Sequence, residues 1–313
     1  MKIHHRIPDD AQYRAKRSER PLVVAIGFFD GFHRGHQAIV RALLAERRPG
    51  SRTAILTFRN HPATVLRPDA VPPMIATLEE RVNAIAAAGI DELFLIPFDP
   101  SIATLAPETF IDDMLVERIG AQSVIVGENF RFGAKRRGDI ALARERLEHR
   151  GRRFVAVAND RDAGERISST RIRGAILAGE LDLADRLLGG AYTIAGRVEL
   201  GEGRGHDLGF PTANLAIAPE KVLPKDGVYA AVARLDGNDH AALVSIGTNP
   251  TFNGSRRTVE AWLRDFRGGI YGAMLALRDV RFVREQVRFA NMDELREQML
   301  ADVGAVAYPR LQI

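Results

Sequence analysis

The chain has 313 residues, about twice the length of an ordinary single domain, so two domains are expected, each able to bury its own core. With 46% hydrophobic and 27% charged residues it has the composition of a globular protein, neither disordered nor fibrous. It contains no Cys, which excludes disulfides, thiolate zinc sites, iron–sulfur clusters and cysteine nucleophiles. Its 44 basic and 40 acidic residues leave +4, too mild an excess for a dedicated nucleic-acid binder.

The first twenty residues, MKIHHRIPDDAQYRAKRSER, mix acids and bases and carry no secretory pattern. The longest apolar runs are strand-sized, short of the roughly 20 residues of a membrane-spanning helix. The cytoplasm is therefore the expected compartment, with no membrane partner. Only five of the 44 cations are Lys, at positions 2, 16, 135, 221 and 225, and no Gly-Lys pair occurs. A Walker A phosphate loop is thereby excluded.

From Pro21 to about Asp160, short runs rich in Val, Ile and Phe alternate with amphipathic stretches. PLVVAIGFF, TAILTF, ELFLIPF, SVIVG and FVAVAN read as strands; HQAIVRALLAERR, TLEERVNAIAAAG, PETFIDDMLVERIG and DIALARERLEHRG read as helices. This βα alternation predicts a Rossmann-like parallel sheet wrapped by helices, with ligands at the carboxyl ends of the strands. A helical stretch, RIRGAILAGELDLADRLLGG, follows. Beyond Gly189, YTIAGRVEL, GVYAAVARL, AALVSIG, TVEAWLRDF and AMLALRDVRFV are separated by Gly, Pro and Asn turns, with one late helix around MDELREQMLADV. That spacing predicts an antiparallel β-barrel closed by a C-terminal helix. The domains are expected at 1–187 and 188–313.

The first strand runs into GFFDGFHRGHQ, residues 27 to 37, and then into a helix. A glycine-rich turn at such a junction lets a phosphate approach free backbone N–H groups at a helix N-terminus. His33 and His36, three residues apart, can point at one bound group or can be two surface histidines of a turn. In ISSTRIR, Ser169 and Thr170 offer hydroxyl and backbone donors and Arg173 a planar cation; an ordinary helix cap with an exposed Arg fits the same residues. GEGRGHDLGFPTANL narrowly fails the dinucleotide fingerprint GxGxxG and lies outside any βαβ unit. Without further information, its three alternating glycines read as a mobile hairpin tip.

With its HxGH on the first strand of an α/β domain, the stretch from Gly27 to Gln37 resembles the fingerprint of prokaryotic FMN adenylyltransferases. These form the N-terminal, nucleotidyltransferase half of bifunctional riboflavin kinase/FAD synthetase. FRNHPATVLRP resembles that family's flavin-side segment, VGENFRFGAKRRGD its Asn-Phe-x-Phe-Gly stretch and ISSTRIR its phosphate-binding signature. GFPTAN, residues 209 to 214, resembles the riboflavin kinase signature, supported by LPKDGVYA, SIGTNPTF, IYG and REQVRF. The resemblance spans about residues 20 to 303.

The resemblance implies two reactions in series. Riboflavin is phosphorylated to FMN with Mg²⁺ and ATP in the barrel; FMN is then adenylylated to FAD, with release of pyrophosphate, in the first domain. It places His33 and His36 at the α-phosphate and departing pyrophosphate, and Gly27, Phe29, Asp30, Gly31, Ser169, Thr170, Arg173 and Gly205 at ATP and its phosphates. Asn129, Phe132 and Arg284 fall at the flavin, Thr212 and Asn214 hold Mg²⁺, and Glu260 is the general base. Phe130 is expected in the core. The sequence departs from the family at His206 (commonly Arg), Ala261 and Trp262 (commonly Val-His) and Asn60 (commonly Pro); both activities are expected to survive. An adenylyltransferase for a pantetheine or nicotinate nucleotide shares HxGH and ISSTxxR, but needs no barrel. A flavin- or RNA-binding regulator without turnover is the alternative outside enzymes. A homo-oligomer is left open.

Overall fold

The computed structural model describes residues 1–8, 13, 20–200, 211–248, 257–287, 289 and 291–305. It divides into two compact units, Met1–Ser169 and Thr170–Ile313. This division leaves the helices Ser169–Ala178, apart from its first residue, and Leu181–Leu188 with the second unit, whereas the sequence pattern groups them with the first.

In the first unit, β1 (Lys2–His4), β2 (Leu22–Ile26), β3 (Arg52–Phe58), β4 (Glu92–Ile96), β5 (Ala121–Gly127) and β6 (Arg153–Val157) form one sheet in the order β1-β4-β3-β2-β5-β6. All five pairings are parallel, as the βα alternation predicts. Parallel strands covered on both faces read as continuous apolar runs. In β2 all five residues are buried, with Leu22, Val24 and Ile26 in one core cluster and Val23 and Ala25 in the other. The connecting helices are α1 (Arg34–Ala45), α2 (Leu78–Ala87), α3 (Phe110–Ile119, π-helical) and α4 (Ile140–His149). Thr77 and Glu80 make a reciprocal capping box on α2, and Asp139 caps α4. A two-stranded ribbon, β7 (Arg161–Asp162) with β8 (Glu165–Arg166), follows β6.

Two features here lie outside the sequence reading. Strand β1 adds an edge to the sheet, and His4 meets the Glu92 carboxylate at 2.8 Å, which also pairs with buried Arg52. Arg81, 2% exposed, donates to the carbonyls of Phe28, Phe58 and Arg59 and lies 4.5 Å from the Phe28 ring centre. It ties together the chain leaving β2 and β3.

The second unit begins with α5 (Ser169–Ala178, from its second residue) and α6 (Leu181–Leu188). Strands β9 (Ile194–Glu199), β10 (Thr212–Ala216), β11 (Gly227–Leu235), β12 (Asn238–Thr248), β13 (Arg257–Leu263) and β14 (Met274–Arg284) close into a barrel in the order β10-β13-β12-β11-β14-β9. Every pairing is antiparallel. Alternation sends Ala213, Leu215, Val259, Ala261, Leu263, Val244 and Tyr229 inward. The C-terminal helix α7 (Met292–Ala305) completes the unit. Strand β10 is not apparent in the sequence, because Thr212–Ala216 carries only Ala213 and Leu215 as apolar side chains at its inward positions.

Candidate active sites

In the first unit the strand order reverses between β2 and β5: β3, β4 and β1 build outward from one side, β5 and β6 from the other. A doubly wound sheet opens its ligand crevice at the carboxyl ends flanking such a switch point. The HxGH turn leaves the end of β2 there, and Asn129 leaves the end of β5. A Cβ at Gly127 would stand 3.2 Å from the Asn129 Oδ1 and 3.6 Å from Ile39 of α1, which places the exposed Asn129 side chain by the helix that the turn begins.

The turn is held in unusual backbone. Phe29 (φ 58°), Gly31 (φ 78°) and Phe32 (φ 44°) are left-handed, and the Phe29 ring is fully buried. Gly27 admits that ring: a Cβ there would lie 3.0 Å from it. Of Phe29, then, only the backbone is available to a ligand. Asp30, expected at the phosphates, is 1% exposed, and its Oδ1 accepts 3.0 Å bonds from the N–H groups of Ile75 and Ala76. Its carboxylate braces the turn from behind, and its carbonyl accepts from Ser169 Oγ at 3.1 Å. Thr170 and Arg173 follow Ser169 along α5, on the far side of the unit division.

His33 caps α1, its Nδ1 accepting from the His36 N–H at 3.3 Å, so the neutral ring carries its proton on Nε2. The two imidazoles stack, centres 3.7 Å apart and 16° from parallel. Burial lowers the His33 pKa to about 4, with Asp160 partly opposing it; His36 is pushed well below its ordinary value by burial, then by His33 and Arg81. Both rings are neutral at physiological pH. The buried Nδ1 of His36 meets no hydrogen-bond partner among the described residues. Arg34, between them in sequence, pairs with Asp160 at 3.2 Å and Asp162 at 3.6 Å.

After β5 both aromatic rings meet the core. Phe132, expected beside the flavin, is 6% exposed in the core against Phe110, while Phe130, expected in the core, is half-buried and stacked on it with centres 5.2 Å apart. The reason is Gly138, where the backbone of Phe132 makes an isolated antiparallel bridge and a Cβ would collide with the ring. Asn60, where the family commonly has Pro, donates to the Phe98 carbonyl and accepts from the Phe98 N–H, both at 2.9 Å, and also donates to Thr64 Oγ1 at 2.7 Å. A side chain thus continues the β3–β4 ladder past Phe58 and Ile96 and fixes the start of the HPATVLRP segment.

In the barrel, register assembles the second site. Reading across the ladders, Glu199, Asn214, Glu260, Ser245, Val228 and Arg284 are successive Cα partners on β9, β10, β13, β12, β11 and β14. Thr212, two residues before Asn214, shares its outward face, with Oγ1 3.5 Å from Glu260 Oε2. Four residues named from three separate motifs, Thr212 and Asn214, Glu260, and Arg284, therefore fall along one outward belt. Ser245 joins them unforeseen, and Gln286 donates to its hydroxyl at 3.0 Å. The Nε–Nη2 edge of Arg284 is already taken by Asp302 of α7, at 2.9 and 2.7 Å, so its expected flavin contact is not made along that edge.

The departures separate on this geometry. Ala261 is fully buried inside the barrel, away from the belt. Trp262 faces outward opposite Thr212. Gly205 and His206 lie outside the described residues. Thr212 and Asn214 offer neutral oxygens with one carboxylate near, a donor set that suits Mg²⁺ shared with phosphates. No cluster of three His, Asp or Glu able to cage a metal by itself occurs among the described residues.

A switch-point HxGH turn and a barrel carrying Thr, Asn and Glu on adjoining strands define a two-domain, nucleotide-dependent transferase. Family models agree in the same order: FAD synthetase matches residues 15–171 and riboflavin kinase residues 188–308. The chain belongs to the bifunctional riboflavin kinase/FMN adenylyltransferase family. It is 34% identical to the member from Listeria monocytogenes over 96% of this chain and 94% of that one, and 35% identical to the member from Escherichia coli over 90% of each. A crystal structure described as a macrolide-efflux protein from Streptococcus pneumoniae superposes with a TM-score of 0.83 at 30% identity, covering 91% of this chain and 93% of that one. Among the described residues here, no helix is long and apolar enough to cross a membrane.

Proposed function

We propose that this chain makes FAD in two steps, phosphorylating riboflavin in the barrel and adenylylating the resulting FMN in the α/β domain, with the functional boundary near residue 187. The observation that carries the reading is the opposed pair Asn214 and Glu260 beside Thr212, in the same chain as a stacked His33–His36 pair at a sheet switch point. The two family models, one on either side of residue 187, support it.

In the barrel, Thr212 and Asn214 would hold Mg²⁺ against the ATP phosphates, where the ion offsets their charge. Glu260 accepts the proton of riboflavin's terminal ribityl hydroxyl as that oxygen bonds the γ-phosphorus and ADP departs. In the α/β domain no enzyme nucleophile is needed, because the FMN phosphate attacks the α-phosphorus of ATP and expels pyrophosphate. The task left to the protein is positioning and charge neutralisation. The His33 and His36 rings serve as hydrogen-bond donors at the α-phosphate; the turn from Gly27 to Gly31, left-handed at Phe29 and Gly31, and Ser169 gather the polyphosphate; Asn129 addresses the flavin side.

Incubation of purified protein with riboflavin, ATP and Mg²⁺, followed by chromatographic separation of flavins, tests the reading. FMN followed by FAD is expected; the absence of both would overturn it. Omitting Mg²⁺ with excess EDTA should stop FMN formation.

A further inference from the structure

Along the belt, Glu260 stands between two different neighbours. On β10 are Asn214 and Thr212, the phosphate side of the proposed kinase site. On the opposite side come Ser245 of β12, Val228 of β11 and Arg284 of β14. A general base between donor and acceptor places the acceptor hydroxyl on the side away from the phosphates, so the flavin alcohol approaches over Ser245. The residues leaving β14 close over this side. Lys225 pairs with Glu285 at 2.7 Å, and Gln286 donates to Ser245.

What holds this segment is an ion pair from the C-terminal helix. Asp302 of α7, its side chain 5% exposed, accepts from Arg284 Nε at 2.9 Å and Nη2 at 2.7 Å, and from Gln298 Nε2 at 2.9 Å. Arg284 Nη1 donates to the Glu285 carbonyl at 3.0 Å. A two-point pair of planar groups fixes orientation as well as distance, and a buried carboxylate of this kind strongly resists separation from its partner.

We infer that Asp302 is a positioning residue for phosphoryl transfer: by fixing Arg284 it sets residues 284–286 so that Gln286 and Ser245 present the acceptor alcohol to Glu260. The inference rests on the reading of the belt as the kinase site. It assigns α7 a part in acceptor binding while leaving the phosphate side on β10 untouched.

The test uses the full chain and measures riboflavin phosphorylation and FMN adenylylation separately. Asp302→Asn should raise the KM for riboflavin on the order of tenfold, with the KM for ATP and kcat changed less than about threefold. FMN adenylylation should be unchanged, and Asp302→Glu should recover most of the riboflavin KM. Arg284→Ala should reproduce the Asp302→Asn effect, and the double variant should add nothing to it. An unaltered riboflavin KM in Asp302→Asn, additive effects in the double variant, or a parallel loss of kcat and both KM values with an earlier melting transition would each overturn the inference. Failure of the kinase-site reading itself looks different: Glu260→Ala would then leave FMN formation intact.

Discussion

Asn214 and Glu260 occupy directly opposed positions on neighbouring antiparallel strands, 46 residues apart in sequence and on the same ladder rung in the barrel. Strand register, which alternates side chains strictly between faces, sends both outward together with Thr212. Glu260→Ala should therefore lower FMN formation from riboflavin by about 10²- to 10⁴-fold, the usual worth of a general base, while FMN-to-FAD conversion continues. Flavin separation after each half-reaction reads this directly; loss of both activities would argue against two separable sites.

The stacked histidines predict an unusual pH profile. Burial holds His33 at about 4 and His36 well below its usual range, so neither gains a proton near pH 6.5 in the free protein. The kcat/KM for FMN adenylylation should show no acid limb near 6.5 from these groups, only one nearer pH 4. Stability follows the same sign. The unfolded chain binds protons that the folded rings refuse, so stability falls as pH drops from 6.5 toward 4, by about 3 kcal/mol for His33 alone. Urea unfolding at pH 7 and pH 4 measures it, with His33→Asn as the reference: Asn retains a helix cap, so that variant should keep its stability at pH 7 while losing adenylylation.

Asn60 makes a narrower prediction. Its three hydrogen bonds to Phe98 and Thr64 replace the rigidity of a proline with side-chain contacts. Asn60→Ala should destabilise the chain by about 1–2 kcal/mol and raise the KM for FMN, as thermal melting and adenylylation kinetics would register.

Gly247 is a sharper probe of the barrel. A Cβ there would fall on the Gln286 amide, the flexible end of a side chain, and the Gly247 backbone is not left-handed. Gly247→Ala should leave stability within about 0.5 kcal/mol but displace Gln286 from Ser245 and raise the riboflavin KM. A change in melting temperature with an unaltered KM would contradict it.

The four inner strands of the sheet, β4, β3, β2 and β5, were legible because a strand covered on both faces must be apolar throughout, as β2 is. Strand β1 was hidden for the converse reason: it is a three-residue edge whose second and third residues, Ile3 and His4, gain their place from tertiary contacts with β4. The site motifs were legible as types of residue. Their relation was not, since nothing in the spacing of Asn214, Glu260, Ser245 and Arg284 reveals that register makes them neighbours. The deep burial of Phe132 was not legible because two aromatic residues two apart predict one common face but not which ring sits deeper; Gly138, which leaves room for the Phe132 ring, decides it. Asp302 was invisible as one acid among several in the C-terminal helix.

The arginine-rich, lysine-poor balance reads as a bias of composition until Arg81 is considered. Its guanidinium reaches three carbonyl oxygens on two separate segments while a ring covers its face, and burial lowers its pKa. An ammonium, with its three hydrogens on a single nitrogen, cannot span those acceptors and would shed its proton more readily in the same place. At this position the compositional bias toward arginine and the mechanical need for a flat, permanently charged fastener coincide, so a redesign that trades arginine for lysine should leave residue 81 alone.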